Sequence, residues 1–373
     1  MTDAGQAQRR SSWTIQRIPA VSAPVRVASY AVSVIVALIL GGIVLALVGM
    51  KPMALGAAIL HSSFDTRFGL EDLALLAIPL IMTGLSVSML LRVGLWNIGA
   101  DGQFYIGALC AAGVGLFLHG PLPVMLAAMA LAGAIGGAAW IAVPALARLA
   151  LGTSEIITTL LLNFIARLLV DYLVTGSWRD QHSSVTGQTR RIAFAIPKLP
   201  HDWHFGPVHW GLFAAVLLAG LLALAFRNTR WGYELRICGA NRDAAAYAGM
   251  PVQRRLLQAM LLGGALAGIG GMIELAGTVH RLESGLSNGY GYTGIIVAVL
   301  ADGSPVGAIV TGALMAVVLN AGTILQTQGL PASAAMAFIG LILLCAAIGE
   351  RLVHYRLARL PGPRKTSARE AAA

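Results

Sequence analysis

The chain has 373 residues, 57% of them hydrophobic and only 11% charged, whereas a soluble domain carries roughly a quarter charged residues. The net charge of +10 does not point to nucleic acid, because the basic residues sit in short connections between apolar runs, where they orient a membrane protein. Cys110, Cys238 and Cys345 form no C-x-x-C pair, which argues against a disulfide framework or a zinc site.

Residues 1–26 are polar and read as a cytoplasmic segment leading into a retained first span. A helical span takes about 20 apolar residues. Ten membrane segments follow on that criterion, at 27–49, 72–91, 98–118, 122–146, 155–175, 208–226, 256–279, 292–301, 305–325 and 332–349. The segment 292–301 is too short to cross alone; either it is a half-helix or its helix begins earlier in the Gly/Asn-rich loop before it. The transmembrane domain is thus expected over 27–350, with a cytoplasmic tail over 351–373. With the N-terminus in the cytoplasm, 18 Lys and Arg residues fall on the inner side and 7 on the outer, so both termini are expected inside.

Two loops exceed what connection requires. The outer one, 177–207, holds Trp178, His201, Trp203 and His204, as either an interfacial aromatic belt or a docking surface. The inner one, 227–255, holds six arginines. Within it Asn241 is placed to cap a helix from Arg242 to Ala248, ended by Gly249 and Pro251. A short helix held by arginines suits docking onto another protein; a solvated charged loop is the alternative.

Gly289 to Gly294 matches G-x-G-x-x-G, but no βαβ unit surrounds it, so the glycines are read as a loop-to-helix entry. No G-x-x-x-x-G-K-[ST] occurs, so ATP hydrolysis is not expected of this chain. The segment from Gly94 to Tyr105 packs Asn97, Asp101 and Gln103 among glycines where an apolar span begins. Polar groups at membrane depth need partners or a wet cavity. A broken or re-entrant element lining a translocation path fits this pattern; a capped cytoplasmic loop is the alternative. Asn163, Arg167 and Asp171 share one helical face. Asn163 is a path-lining candidate, whereas Arg167 and Asp171 are expected to form an intramembrane pair that orients the helix.

At these stretches the chain resembles a known family. Trp96-Asn97-Ile98-Gly99-Ala100-Asp101-Gly102-Gln103 is similar to the F-N-I-G-x-E-G-Q signature of ABC-importer permeases for nucleosides and simple sugars, of the branched-chain amino acid/ribose type that depends on binding proteins. Gly152 to Asn163, Gly239 to Gly249, Gly263 to Gly268 and Gly294 to Gly307 resemble later parts of the same family. Trp96 stands where Phe is common, and Asp101 where Glu is common. The resemblance implies an all-α polytopic permease of about ten transmembrane helices, similar to type II ABC importers, in a bacterial inner membrane. It implies a cytoplasmic ATP-binding subunit, a second permease subunit (a heterodimer rather than a homodimer), and a periplasmic or lipid-anchored solute-binding protein. The permease itself would bind no cofactor, ATP being used by the partner. Arg236, Asn241, Arg242, Asp243 and Gly249 would form the element coupled to the ATPase. Nucleosides are the first expectation for the solute and simple sugars the second. An ion-coupled transporter is the mechanistic rival, with Asp171 and Asp302 as its acids.

Overall fold

The computed structural model describes residues 13–17, 23–47, 49–200, 206–331 and 355–359, with scattered positions between 333 and 349. Half of the expected span at 332–349, and the loop residues His201, Trp203 and His204, lie outside the described residues.

The chain divides into two units, residues 1–52 with 340–373, and residues 53–339. In the first unit, α1 (Ala23–Leu47) is the first apolar helix. The polar segments flanking the membrane domain are not wholly irregular. β1 (Trp13–Arg17) pairs antiparallel with β2 (Tyr355–Arg359), Trp13 standing opposite Arg359. This ladder departs from an all-helical chain, and its cause is legible. Trp13-Thr-Ile-Gln alternates apolar and polar residues with the period of a strand.

The second unit is helical. α2 (Pro52–Leu60) and a π-helical turn (His61–Asp65) precede α3 (Arg67–Leu91). α3 begins five residues before the apolar run because Thr66 caps it, its Oγ1 accepting from Gly69 N–H at 3.0 Å. Then come α4 (Ala100–Phe117), α5 (Leu122–Leu151) and α6 (Glu155–Thr175). Gly152, at φ 68°, ends α5, and an Arg148–Glu155 ion pair bridges the turn into α6. α7 (Gly211–Asn228) leads to the polar helices α8 (Arg230–Ala240) and α9 (Arg242–Tyr247). α10 (Val252–Ile273) continues through a π-helical turn (Glu274–Val279). α11 (Tyr290–Leu300) is a half-length helix, and α12 (Pro305–Thr327) follows it, capped by Ser304 with Pro305 in its first turn.

Among the described residues seven helices are long and apolar enough to cross a membrane: α3 to α7, α10 with its π-helical turn, and α12. α3, α4 and α10 form the buried centre, while α6 and α7 leave most of their surface uncovered. α10 packs on α3, α4 and α5, and α11 and α12 pack on α3. The central helices meet backbone to backbone. A Cβ built on Gly268 of α10 would lie 2.1 Å from Gly133 O of α5. Lipid tails are as apolar as the side chains, so helices associate through this close packing of small residues.

Residues 177–200 of the long loop are built into the fold rather than trailing from it. Thr189 N–H donates to Leu282 O and Ile192 N–H to His280 O, each at 2.9 Å. Trp178 stands edge-on to Phe117, with ring centroids 5.4 Å apart.

Candidate functional site

Two helices begin inside the bundle, and their starts meet. Residues 92–99 run inward from the end that carries α8 and α9: Gly94 O lies 3.4 Å from Arg242 Nη2, whereas Asn97 Nδ2 donates to Ser86 Oγ at 3.1 Å, nearly two turns back along α3. Residues 92–99 thus form an inward-running segment, where the glycines and polar residues of 94–105 suggest a re-entrant element. α4 starts at its inner end. From the opposite end, residues 280–289 turn in, and α11 starts beside α4.

The exposed peptide N–H groups of these two buried helix starts explain the polar residues. Neither N-terminus has a side-chain cap of its own, since Gly99 and Gly289 occupy the cap positions. The caps come from other helices. Asn163 of α6 accepts from Gly102 N–H at 2.8 Å, while its amide donates to Ile98 O at 2.7 Å and to Tyr292 Oη at 3.2 Å. Asp101 Oδ1 accepts from Gly291 N–H at 3.1 Å and from Ser287 Oγ. A carboxylate suits a helix N-terminus, where the partial positive charge gathers. Gly291 must be glycine, because a Cβ there would lie 2.1 Å from Asp101 N.

Asn97 and Gln103 form a closed amide pair. Asn97 Nδ2 donates to Gln103 Oε1 and Gln103 Nε2 to Asn97 Oδ1, both at 2.9 Å, and Asn97 Oδ1 also accepts from Gly99 N–H at 3.1 Å. Each is 1% exposed. They brace the re-entrant segment from within and present no edge to an open surface. Asp101 and Asn163 are also buried, but Asn163 reaches the surface through Tyr292, whose side chain is open. Tyr292 and Ser287 were not singled out by sequence reading. Both belong to the loop and glycine motif at 284–294, read there only as a flexible entry.

Arg167 and Asp171 are one turn apart on α6, yet no ion pair joins them among the described residues. Asp171 Oδ1 is buried without a hydrogen-bond partner, and Arg167 is exposed. The expected intramembrane pair is not formed in this arrangement.

At the other end of the bundle, Asn241 caps α9 as expected, accepting from Ala244 N–H at 3.0 Å, and Gly249 follows at φ 76°. Arg242 reaches Val93 O and Gly94 O at 3.4 Å each, tying α9 to the re-entrant segment. Arg236, Asp243 and Gly249 are exposed. Sequence reading did not separate α8 from the loop. Its anchor is buried Glu234, which accepts from Arg255 Nε at 2.6 Å and from Arg230 Nε at 2.9 Å. The Arg255 hydrogen bond, reinforced by Arg230, holds the Glu234 carboxyl below the usual carboxylate range. Beyond it, Tyr247 projects from α9 almost wholly exposed, at 97%.

Residues 69–347 match the family model of the permease component of branched-chain amino acid transport systems. The chain belongs to this family. Among curated relatives, a glucose ABC transporter permease protein of Haloferax volcanii is 33% identical, over 87% of this chain and 88% of its own length. A guanosine ABC transporter permease protein of Bacillus subtilis is 29% identical over 85% of this chain and 91% of its own. A nucleoside ABC transporter permease protein of Lactococcus lactis is 28% identical over 80% and 85%. The permease is therefore a multi-pass ABC importer subunit of the nucleoside and simple-sugar group, whose systems comprise an ATP-binding subunit and a substrate-binding protein.

Proposed function

We propose that this permease translocates nucleosides by alternating access, driven by ATP hydrolysis in a partner subunit and fed by a periplasmic or lipid-anchored binding protein. Both termini then lie in the cytoplasm, as the bias of basic residues favours. The observation that supports this reading most is the meeting of two helix starts, α4 and α11, at a polar junction inside the bundle. Transporters bind solute near the midplane at such discontinuous helices. Asp101 and Asn163 hold that junction together, with Asn97 and Gln103 bracing it. A second permease, different from this one, completes the path. A simple-sugar importer is the second reading, favoured by the similarity to the glucose permease protein.

α9, with Asn241, Arg242, Asp243 and Gly249, and α8 with Arg236, form the surface on which the ATPase acts. Arg242 bonds the carbonyls of 93 and 94 directly, so motion of α9 is passed to the segment that starts α4. Alternating access requires such a two-state element, biased differently in each state. Tyr247→Ala or Arg242→Ala is expected to lower uptake about 10-fold or more, on the scale of a lost interface anchor, with normal membrane insertion and undiminished ATPase activity in the assembled complex. Normal uptake in both variants removes α9 from coupling.

Uptake of radiolabelled nucleosides in cells lacking the permease and in complemented cells tests the substrate. Uptake lost, restored by complementation and blocked by excess nucleoside but not ribose supports the reading. Unchanged nucleoside uptake with lost sugar uptake moves it to the second.

A further inference from the structure

α6 is the least covered of the seven long helices, and its open face carries a charge where lipid would not tolerate one. Arg167 stands 12 residues past Glu155, about 18 Å along the helix, which is near the middle of a hydrocarbon layer about 30 Å thick. It is exposed and makes no hydrogen bond or ion pair among the described residues. Facing lipid at that depth costs roughly 2.5–3.5 kcal/mol, and Asp171 does not neutralise it.

The surroundings of Arg167 are polar and open on one side. Arg167 lies one turn beyond Asn163 and one turn before Asp171 on the same face of α6. The buried Asp171 Oδ1 has no hydrogen-bond partner. One turn towards Glu155, the Asn163 amide bonds Tyr292 Oη, and the Tyr292 side chain is open at 38% exposure. A guanidinium that donates only, an unsatisfied carboxylate oxygen and an open aromatic ring therefore lie on one side of the α4 and α11 junction.

We propose that Arg167 is a specificity-determining residue of the solute path, its guanidinium donating to two neighbouring acceptors of an uncharged, oxygen-rich solute whose flat or apolar face lies against Tyr292. The assignment rests on the importer reading above. A guanidinium offers five N–H donors in a fixed fork and accepts nothing, so it selects paired acceptors. The O6 and N7 edge of guanine supplies such a pair, and so do vicinal sugar hydroxyls. Cationic solutes are rejected by the same charge.

The test uses the full transporter with Cys110, Cys238 and Cys345 replaced by Ser. In that background Arg167→Cys is expected to react with a charged, membrane-impermeant methanethiosulfonate reagent, and saturating guanosine or glucose slows the reaction. No reaction from either side of the membrane means lipid or protein covers the position and overturns the proposal, whatever the solute. In the second arm, Arg167→Met is expected to raise the KM for the transported probe about 10-fold or more, the scale of a lost charged hydrogen bond, with uptake at saturation preserved. Arg167→Lys falls between. A KM unchanged in Arg167→Met also overturns the proposal. Guanosine and glucose are run separately, so the arm that shifts identifies the acceptor pair. Should the unsubstituted permease carry neither, the substrate reading fails, and the thiol reaction still decides the place of residue 167.

Discussion

Asp101 and Gly291 touch across two helix starts, so their contact can be varied from either side. Asp101→Ala leaves Gly291 N–H and Ser287 Oγ without their acceptor in a buried site. Such a loss costs about 1–3 kcal/mol, and a lower melting temperature of the detergent-solubilised permease is expected. Asp101→Asn keeps one acceptor oxygen and is expected to lose less. Gly291→Ala leaves every hydrogen bond in place but drives a methyl into the Asp101 backbone, so it is expected to destabilise by a comparable amount through overpacking. Equal melting temperatures for Asp101→Ala and the unsubstituted protein would mean that the carboxylate does not hold α11. The sequence made Asp101, Asn97, Gln103 and Asn163 visible because polar residues are rare inside apolar runs. It could not assign their partners. Asp101 meets Ser287, 186 positions away, and Asn163 meets Tyr292, 129 positions away. No local spacing carries such pairings, so the inward orientation of Asn97 and Gln103 became readable only in three dimensions.

Elements whose limits are set by capping chemistry were largely legible. α6 runs over the predicted span, and α9 starts at the predicted cap. α8 was not legible, because its residues are polar on most faces and its stability comes from Glu234 binding an arginine of α10 rather than from its own pattern. This tie carries a pH dependence. The Glu234 carboxyl sits below its ordinary value of 4.5, chiefly through the Arg255 hydrogen bond. Its contribution is therefore complete above that value and is lost as the pH falls through the lower folded-state value. Hydrogen exchange in peptides from 230–248 should stay slow from neutral pH down to the ordinary carboxylate range, after correction for intrinsic rates, and quicken below it. Glu234→Gln, which lacks the charge at every pH, should exchange faster throughout with little pH dependence. A Glu234→Gln profile superimposable on the unsubstituted one would show that α8 is held by something other than this carboxylate.

At the scale of the whole molecule, covered and open helices divide the labour. α3, α4 and α10 pack closely through glycines; one buried helix start is that of α4 and the other, that of α11, lies against α4, so the polar junction rests on the most buried part of the bundle. α6 contributes Asn163 to that junction and exposes Arg167 one turn further along the same face, which joins the buried centre to the surface where solute is proposed to pass. If the buried centre positions the junction, glycines at its contacts should be far less replaceable than glycines on the open helices. Gly268→Ala puts a Cβ 2.1 Å from Gly133 O, whereas a Cβ on Gly220 of α7 meets nothing within 4 Å. Separating α10 from α5 and α4 should cost about 1–3 kcal/mol by overpacking and lower uptake, since Phe104, Gly107 and their neighbours on α4 would shift with it. Gly220→Ala, by contrast, gains helix propensity worth about 1 kcal/mol and should leave melting temperature and uptake unchanged or raised. Both variants are read by thermal unfolding in detergent and by uptake in cells. If Gly268→Ala were as well tolerated as Gly220→Ala, the close backbone contact would not be what fixes the junction, and the α4 start would have to be positioned by Asn163 and Asp101 alone.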